Sequence, residues 1–189
     1  AVGSEVGSGR HPGTRILVAV LRFTDTLTGE KAPFVPRTEG KADIYACGPT
    51  VYDVPHVGHA RSALTYDVLR RYLRWRGFDV TLVQNITDID DKIIKGAAAE
   101  GVSIRELTDR WAAQFLVDAE ALRMTRPDVL PRATDHIPQI VALIQTLLER
   151  GHAYRTDDGS IFFRIASWPA YGRLARLDPD ELRVGERVE

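Results

Sequence analysis

Cys47-Gly48-Pro49-Thr50-Val51-Tyr52-Asp53, running through Val54 into Pro55-His56-Val57-Gly58-His59-Ala60-Arg61, decides how this chain of 189 residues folds. It reads as the end of a buried strand, a glycine-bearing turn and a helix N-terminus that carries two histidines. At such a junction backbone N–H groups and imidazoles converge where phosphate oxygens can sit. The stretch also holds the sole cysteine of the sequence.

Working outward, Asp43-Ile44-Tyr45-Ala46-Cys47 predicts the strand that feeds the turn. The next helix is predicted over 58–76, with Ala60, Leu64, Val68, Tyr72 and Trp75 at helical spacing and Gly77 as its C′ stop. Val80-Thr81-Leu82-Val83 is β-branched and short, a second strand. Strand, helix, strand in this order predicts a right-handed crossover and a parallel sheet. Ligands of such sheets bind beyond the carboxyl ends of the strands, where Cys47 and Asn85-Ile86-Thr87-Asp88 both fall.

Upstream, Leu21-Arg22-Phe23 suggests a short strand and Thr28-Gly29-Glu30 a turn, with a loop punctuated by Pro33, Pro36 and Gly40. Downstream the pattern is mainly helical. Ser103-Ile104-Arg105-Glu106 has capping-box spacing, and Ile104, Leu107, Trp111, Phe115 and Leu122 form the expected buried stripe. A further helix follows Arg132, with Asp135 as the expected cap and Pro138 at N3. Ile137, Ile140, Val141, Ile144, Leu147 and Leu148 are expected inward, with Gly151 as the stop. Tyr154 to Phe163, broken by Asp158-Gly159, predicts a hairpin.

The formal net charge of −1 gives no overall basic field to attract nucleic acid. Arg61, Arg70, Arg71, Arg74 and Arg76 do gather locally, and the plain expectation is the solvated face of one helix. One cysteine rules out an intrachain disulfide, and no apolar run reaches membrane-spanning length. The Gly- and Ser-rich start, Ala1 to Gly13, lacks the charged and apolar regions of a secretory signal. A cytoplasmic protein with a disordered front end is expected.

His56 and His59 could donate hydrogen bonds to phosphate oxygens as charge builds during displacement. Three residues apart on a helix they are weak evidence alone; Pro55, Gly58 and the preceding strand strengthen them. Cys47 by itself reads as a small hydrophobe at a strand end. None of the histidines (His11, His56, His59, His136, His152) shows metal-ligand spacing with it, so zinc would need ligands from elsewhere. Asp88, Asp90 and Asp91 invite a magnesium reading, but Asp90 as a helix cap explains them better, and Thr87 is the better substrate contact.

YACGPTVYDVPHVGHAR (45–61) and DVLRRYLRWRGFDVTLVQNITDIDDKII (67–94) closely resemble the opening of cysteinyl-tRNA synthetases. The resemblance continues through RPDVLPRATDHIPQI (126–140) and LLERGHAY (147–154). PHVGHAR is similar to the class I signature His-Ile-Gly-His, with Val57 in place of isoleucine. The resemblance implies an α/β fold: the first half of a Rossmann-like nucleotide-binding domain with a parallel sheet, then a mainly helical connecting insertion. It also implies a reaction in two steps. Cysteine attacks the α-phosphate of ATP, taken with Mg2+, and the cysteinyl group then passes to tRNA. His56, Gly58 and His59 would hold ATP, with the two histidines stabilising the phosphate in flight. Gly48, Thr50 and Thr87 would line the cysteine pocket, and Cys47 would ligate the Zn2+ ion that binds the substrate thiolate. Thiolate-to-zinc bonding separates cysteine from serine and alanine, which pocket shape alone does poorly.

The family's remaining zinc ligands and its Lys-Met-Ser-Lys-Ser loop lie beyond the position of Glu189, as do the parts that read the anticodon. The expected division is an extension over 1–19, half of the catalytic domain over 20–130 and the start of the insertion over 131–189. Residues 1–189 alone are expected to be inactive. Two other readings are a ligase joining cysteine to an amino sugar in mycothiol synthesis, and a non-catalytic truncated paralogue that serves as a binding module.

Overall fold

The computed structural model describes residues 20–176. The expected extension over 1–19 lies outside them. Two compact units divide these residues, one comprising 36–171 and the other 20–35 with 172–176. In the smaller unit, β1 (Arg22–Thr24) pairs antiparallel with β2 (Lys31–Pro33), and Phe23 packs edge-on against Phe34 at 5.6 Å. The sequence reading places Pro33 in a loop. It is instead the last residue of an edge strand, where proline's missing N–H costs no ladder bond.

In the larger unit, β3 (Lys41–Ala46) pairs parallel with β4 (Asp79–Gln84), in a register that sets Ala42 opposite Val80 and Ala46 opposite Gln84. The crossover is α1 (Val57–Trp75), as predicted. Glycine at 77 has φ 91° and ends the helix in the left-handed region that favours it. A third parallel segment extends the sheet beyond β4. Gln84 N–H donates to Val129 O (3.0 Å) and Ile86 N–H to Pro131 O (2.8 Å). This segment contains two prolines and carries no strand signature, so sequence patterning misses it. Proline lacks the N–H but keeps its carbonyl, so Pro131 can still accept from Ile86.

β3 is half-buried rather than buried: Ala42 and Ala46 are covered, while Tyr45 on the opposite face is open to solvent. α1 also departs from expectation. Leu64, Val68, Tyr72 and Trp75 all face solvent, and Asp67, Arg70 and Leu73 are buried instead. The arginine cluster is therefore not simply a solvated face. Arg70 is 3% exposed and reaches Asp128 at 2.6 Å and Arg126 O at 2.8 Å. Arg71 pairs with the buried Asp67, whose other oxygen accepts from Thr125 N–H. Charges can be buried once paired and hydrogen-bonded, and here the partners lie over fifty residues away in sequence.

α2 (Asp91–Glu100) is capped by Asp90 accepting from Lys92 N–H, as expected. α3 (Ile104–Ala121) is capped by Ser103 accepting from Glu106 N–H at 3.1 Å. Leu107, Ala112 and Phe115 are buried as the core of this layer, but Ile104 and Leu122, at its ends, are exposed. A 3-10 turn (Ala133–His136) leads into α4 (Ile137–Glu149). His136, not Asp135, is the N-cap residue, which puts Pro138 at N2. The intervening 3-10 turn shifts the start by one residue. None of α4's residues is buried, so its apolar stripe faces open surface or shallow contacts. β5 (Ala153–Arg155) and β6 (Ile161–Phe163) form the predicted hairpin, with Gly159 at φ 86° in its turn.

Candidate functional site

At the carboxyl ends of β3 and β4 the segments that follow the two strands are stitched together by hydrogen bonds. Gly48 N–H donates to Asn85 Oδ1 (3.0 Å), and Asn85 Nδ2 donates to Thr87 Oγ1 (3.2 Å). Thr87 N–H donates to Pro49 O and Val51 N–H to Thr87 O, which makes Thr50 and Thr87 a parallel bridge. Gly48 is required here by space: a Cβ on it would lie 1.5 Å from Asn85 O.

The polypeptide then turns into α1, whose N-terminus is closed by its two histidines. His56 is the N-cap and its Nδ1 accepts from Gly58 N–H at 3.0 Å. His59 answers from N3, its Nδ1 accepting from His56 N–H at 3.2 Å. The arrangement is a capping box built from imidazoles, with ring centroids 4.0 Å apart. A nitrogen that accepts carries no proton, so in each neutral ring the proton sits on Nε2. Both Nε2–H groups are then donors beside a positive helix end. A Cβ on Gly58 would press within 2.8 Å of the His56 ring, so glycine lets the cap form.

Partial burial, and secondarily the nearby charge of His56, hold the His59 pKa below the ordinary histidine value. The sign follows. Above about pH 6.5 both folded and unfolded His59 are neutral and the cap is intact. As pH falls through the depressed folded value, protonation removes the Nδ1 acceptor and this contribution to stability is lost. An NMR titration is expected to give His59 a midpoint below 6.5; a midpoint at or above it overturns the assignment.

Cys47, Gly48, Pro49, Gly58, His59, Ser62, Gln84 and Phe115 enclose a cavity of about 210 Å³. His56 lines an adjoining hollow of about 280 Å³ with Pro55, Ala60 and Phe115. The structure thus brings Cys47, Gly48, Gly58 and His59 together, with His56 next door. Thr50 and Thr87 lie beside the cavity, and the hydroxyl of Thr87 is engaged by Asn85. Gln84, Ser62 and Phe115, which also line the cavity, carry no site motif in the sequence. Phe115 has the spacing of a core residue and is buried as one, and the one signal for Gln84 is its place at the carboxyl end of a strand.

Cys47 is exposed. Among the described residues no three His, Cys, Asp or Glu side chains converge to hold a metal ion. These residues alone therefore do not fit a zinc ion. Of the acidic cluster, Asp88 is 1% exposed and accepts from Thr134 N–H and Oγ1. Arg132 Nε stands 3.1 Å from it, a charge contact whose angle falls short of a hydrogen bond. Asp88 and Asp90 are thus structural. No helix among the described residues is long and apolar enough to cross a membrane.

Residues 33–189 match the family model described as tRNA synthetases class I (C) catalytic domain. A cysteine–tRNA ligase of Trichlorobacter lovleyi is 48% identical over 169 residues, 89% of this chain and 34% of the relative. One from Aliivibrio salmonicida is also 48% identical, over 89% of this chain and 37% of its own length. The chain therefore spans about a third of the length of these curated relatives. A solved Mycobacterium tuberculosis methionyl-tRNA synthetase in complex with methionyl-adenylate aligns over 59% of this chain and 23% of its own. That alignment has a TM-score of 0.54 and 28% identity.

Proposed function

Because this chain belongs to the class I (C) tRNA synthetase catalytic-domain family, we propose that it forms the ATP- and cysteine-handling part of a cysteine–tRNA ligase. The observation that carries the reading is the histidine capping box beside the Cys47 cavity. It presents two Nε2–H donors and the positive end of a nineteen-residue helix at one place.

In the proposed reaction the carboxylate of cysteine attacks the α-phosphate of ATP. A bond forms between carboxylate oxygen and phosphorus, the bond to the β-phosphate oxygen breaks, and pyrophosphate leaves. Negative charge accumulates on the phosphate oxygens in transit, and donors already oriented toward it stabilise that state without reorganising. His56 and His59 fill this role, and Gly58 permits it by admitting the His56 ring. Gly48, Thr50 and Thr87 form the cysteine side of the site. The cysteinyl group then passes to tRNA. Pairing Cys47 with zinc requires at least two ligands from outside the described residues; bound there, zinc would supply a soft Lewis acid for the substrate thiolate. We assign 20–130 to the first half of the catalytic domain and 131–189 to the start of its insertion. A reaction that consumes tRNA and ATP favours the cytoplasm.

The test is cysteine-dependent ATP–pyrophosphate exchange by the full-length protein. His59→Asn is expected to lower kcat by about 100-fold with little change in the KM for cysteine. Full exchange by that variant would remove His59 from the phosphate site. Residues 1–189 alone are expected to show no exchange.

A further inference from the structure

Gln84 ends β4 on the face of the sheet that α1 and α3 cover. It is 5% exposed, and its carboxamide has no hydrogen-bond partner among the described residues. Most of the side chain is covered, yet no described group takes up its amide. Its polar atoms are not sealed in the core either. The side chain forms part of the wall of the Cys47–His59 cavity, its Cγ 3.2 Å from where a Gly48 Cβ would lie. On its other side it borders a cavity of about 420 Å³ with Tyr66, Asp67, Phe115 and Thr125.

Two of the neighbouring polar side chains are already committed. Asn85 is held by Gly48 and Thr87, and Asp67 by Arg71 and Thr125. Of these three side chains Gln84 is the one with neither end engaged by a described residue. The cavity it shares with Cys47 and His59, at about 210 Å³, is smaller than the roughly 300–1,000 Å³ of sites for drug-sized ligands. It suits a small zwitterion better than a nucleoside triphosphate.

We propose that Gln84 is a substrate-binding residue whose carboxamide hydrogen-bonds the carboxylate and ammonium end of an α-amino acid held in the Cys47–His59 cavity. The N–H of the amide donates to a carboxylate oxygen and its carbonyl accepts from the ammonium. This rests on the adenylation reading above and adds to it the group that orients the attacking carboxylate. A carboxamide serves a zwitterion at both ends, which a carboxylate or a hydrocarbon of the same shape cannot do.

The experiment measures cysteine-dependent ATP–pyrophosphate exchange by the full-length protein and its Gln84→Met and Gln84→Glu variants. Separate KM values are read for cysteine and ATP. Gln84→Met is expected to raise the KM for cysteine at least about 10-fold and leave that for ATP within about 2-fold, the worth of a hydrogen bond to a charged group. Gln84→Glu is expected to do more, since it sets a negative charge against the substrate carboxylate. An unchanged KM for cysteine in both variants overturns the proposal while the adenylation reading stands. An equal rise in both KM values also overturns it, because Gln84 would then act through packing. No exchange by the unsubstituted protein overturns the adenylation reading and this proposal together.

Discussion

Gly48→Ala is expected to unfold at a clearly lower urea concentration and, in the full-length protein, to abolish cysteine-dependent exchange. The added Cβ would stand 1.5 Å from the carbonyl oxygen of Asn85 and 2.7 Å from its carbon. That obstacle is backbone, and cannot swing aside as the tip of a side chain does. Relief requires the ends of β3 and β4 to separate, which stretches the Gly48 N–H bond to Asn85 Oδ1 and the Thr50–Thr87 bridge. Overpacking of this kind costs about 1–3 kcal/mol, and the upper end is expected here. The urea midpoint should fall with the slope unchanged, since a native-state clash leaves the surface exposed on unfolding unaltered. A loss below about 0.5 kcal/mol would mean that the strand ends are not in contact as described.

The second large effect is expected from Asp128→Ala. Asp128 Oδ2 accepts from Leu82 N–H at 2.7 Å, and Oδ1 lies 2.6 Å from Arg70 and 3.4 Å from Arg74. One carboxylate thus ties α1, β4 and the third parallel segment together. Its removal leaves the guanidinium of Arg70 buried with only Arg126 O as a partner. Breaking a fully buried pair costs about 3–5 kcal/mol; water reaches a third of Asp128, so about 2–3 kcal/mol is expected. Arg70→Met combined with Asp128→Asn should recover part of that loss. It removes the orphaned charge and keeps an acceptor for Leu82. A double variant no more stable than Asp128→Ala would show that the pair is not the source. Burial pushes the Asp128 carboxyl up, but the Leu82 N–H bond and the two arginines outweigh it and hold it below the ordinary carboxylate range. Its contribution is therefore complete above about pH 4 and lost as pH falls through the lowered value.

How much of this was legible in the sequence differs from element to element. The crossover was readable because its signals are local. Gly77 stops α1, Ser103 and Asp90 cap the helices that follow, and β-branched residues mark β4. Cys47, Gly48, Gly58 and His59 could be placed in one site because the ends of adjacent parallel strands must meet. The third parallel segment, rich in proline, had no such signal. Gln84 had no motif at all; burial without a partner singles it out.

By itself the sequence determined the α/β order of elements, the parallel pairing and the pair of histidines at one helix start. These follow from spacing and backbone chemistry within a few residues. Only the tertiary structure decided which face of α1 turns inward. Periodicity favours the stripe of Leu64, Val68, Tyr72 and Trp75, yet the helix buries Asp67, Arg70 and Leu73. The reason is that a charge is admitted to the interior by its partner. The partners, Thr125, Arg126 and Asp128, arrive from a segment more than fifty residues away, beyond the reach of any local pattern.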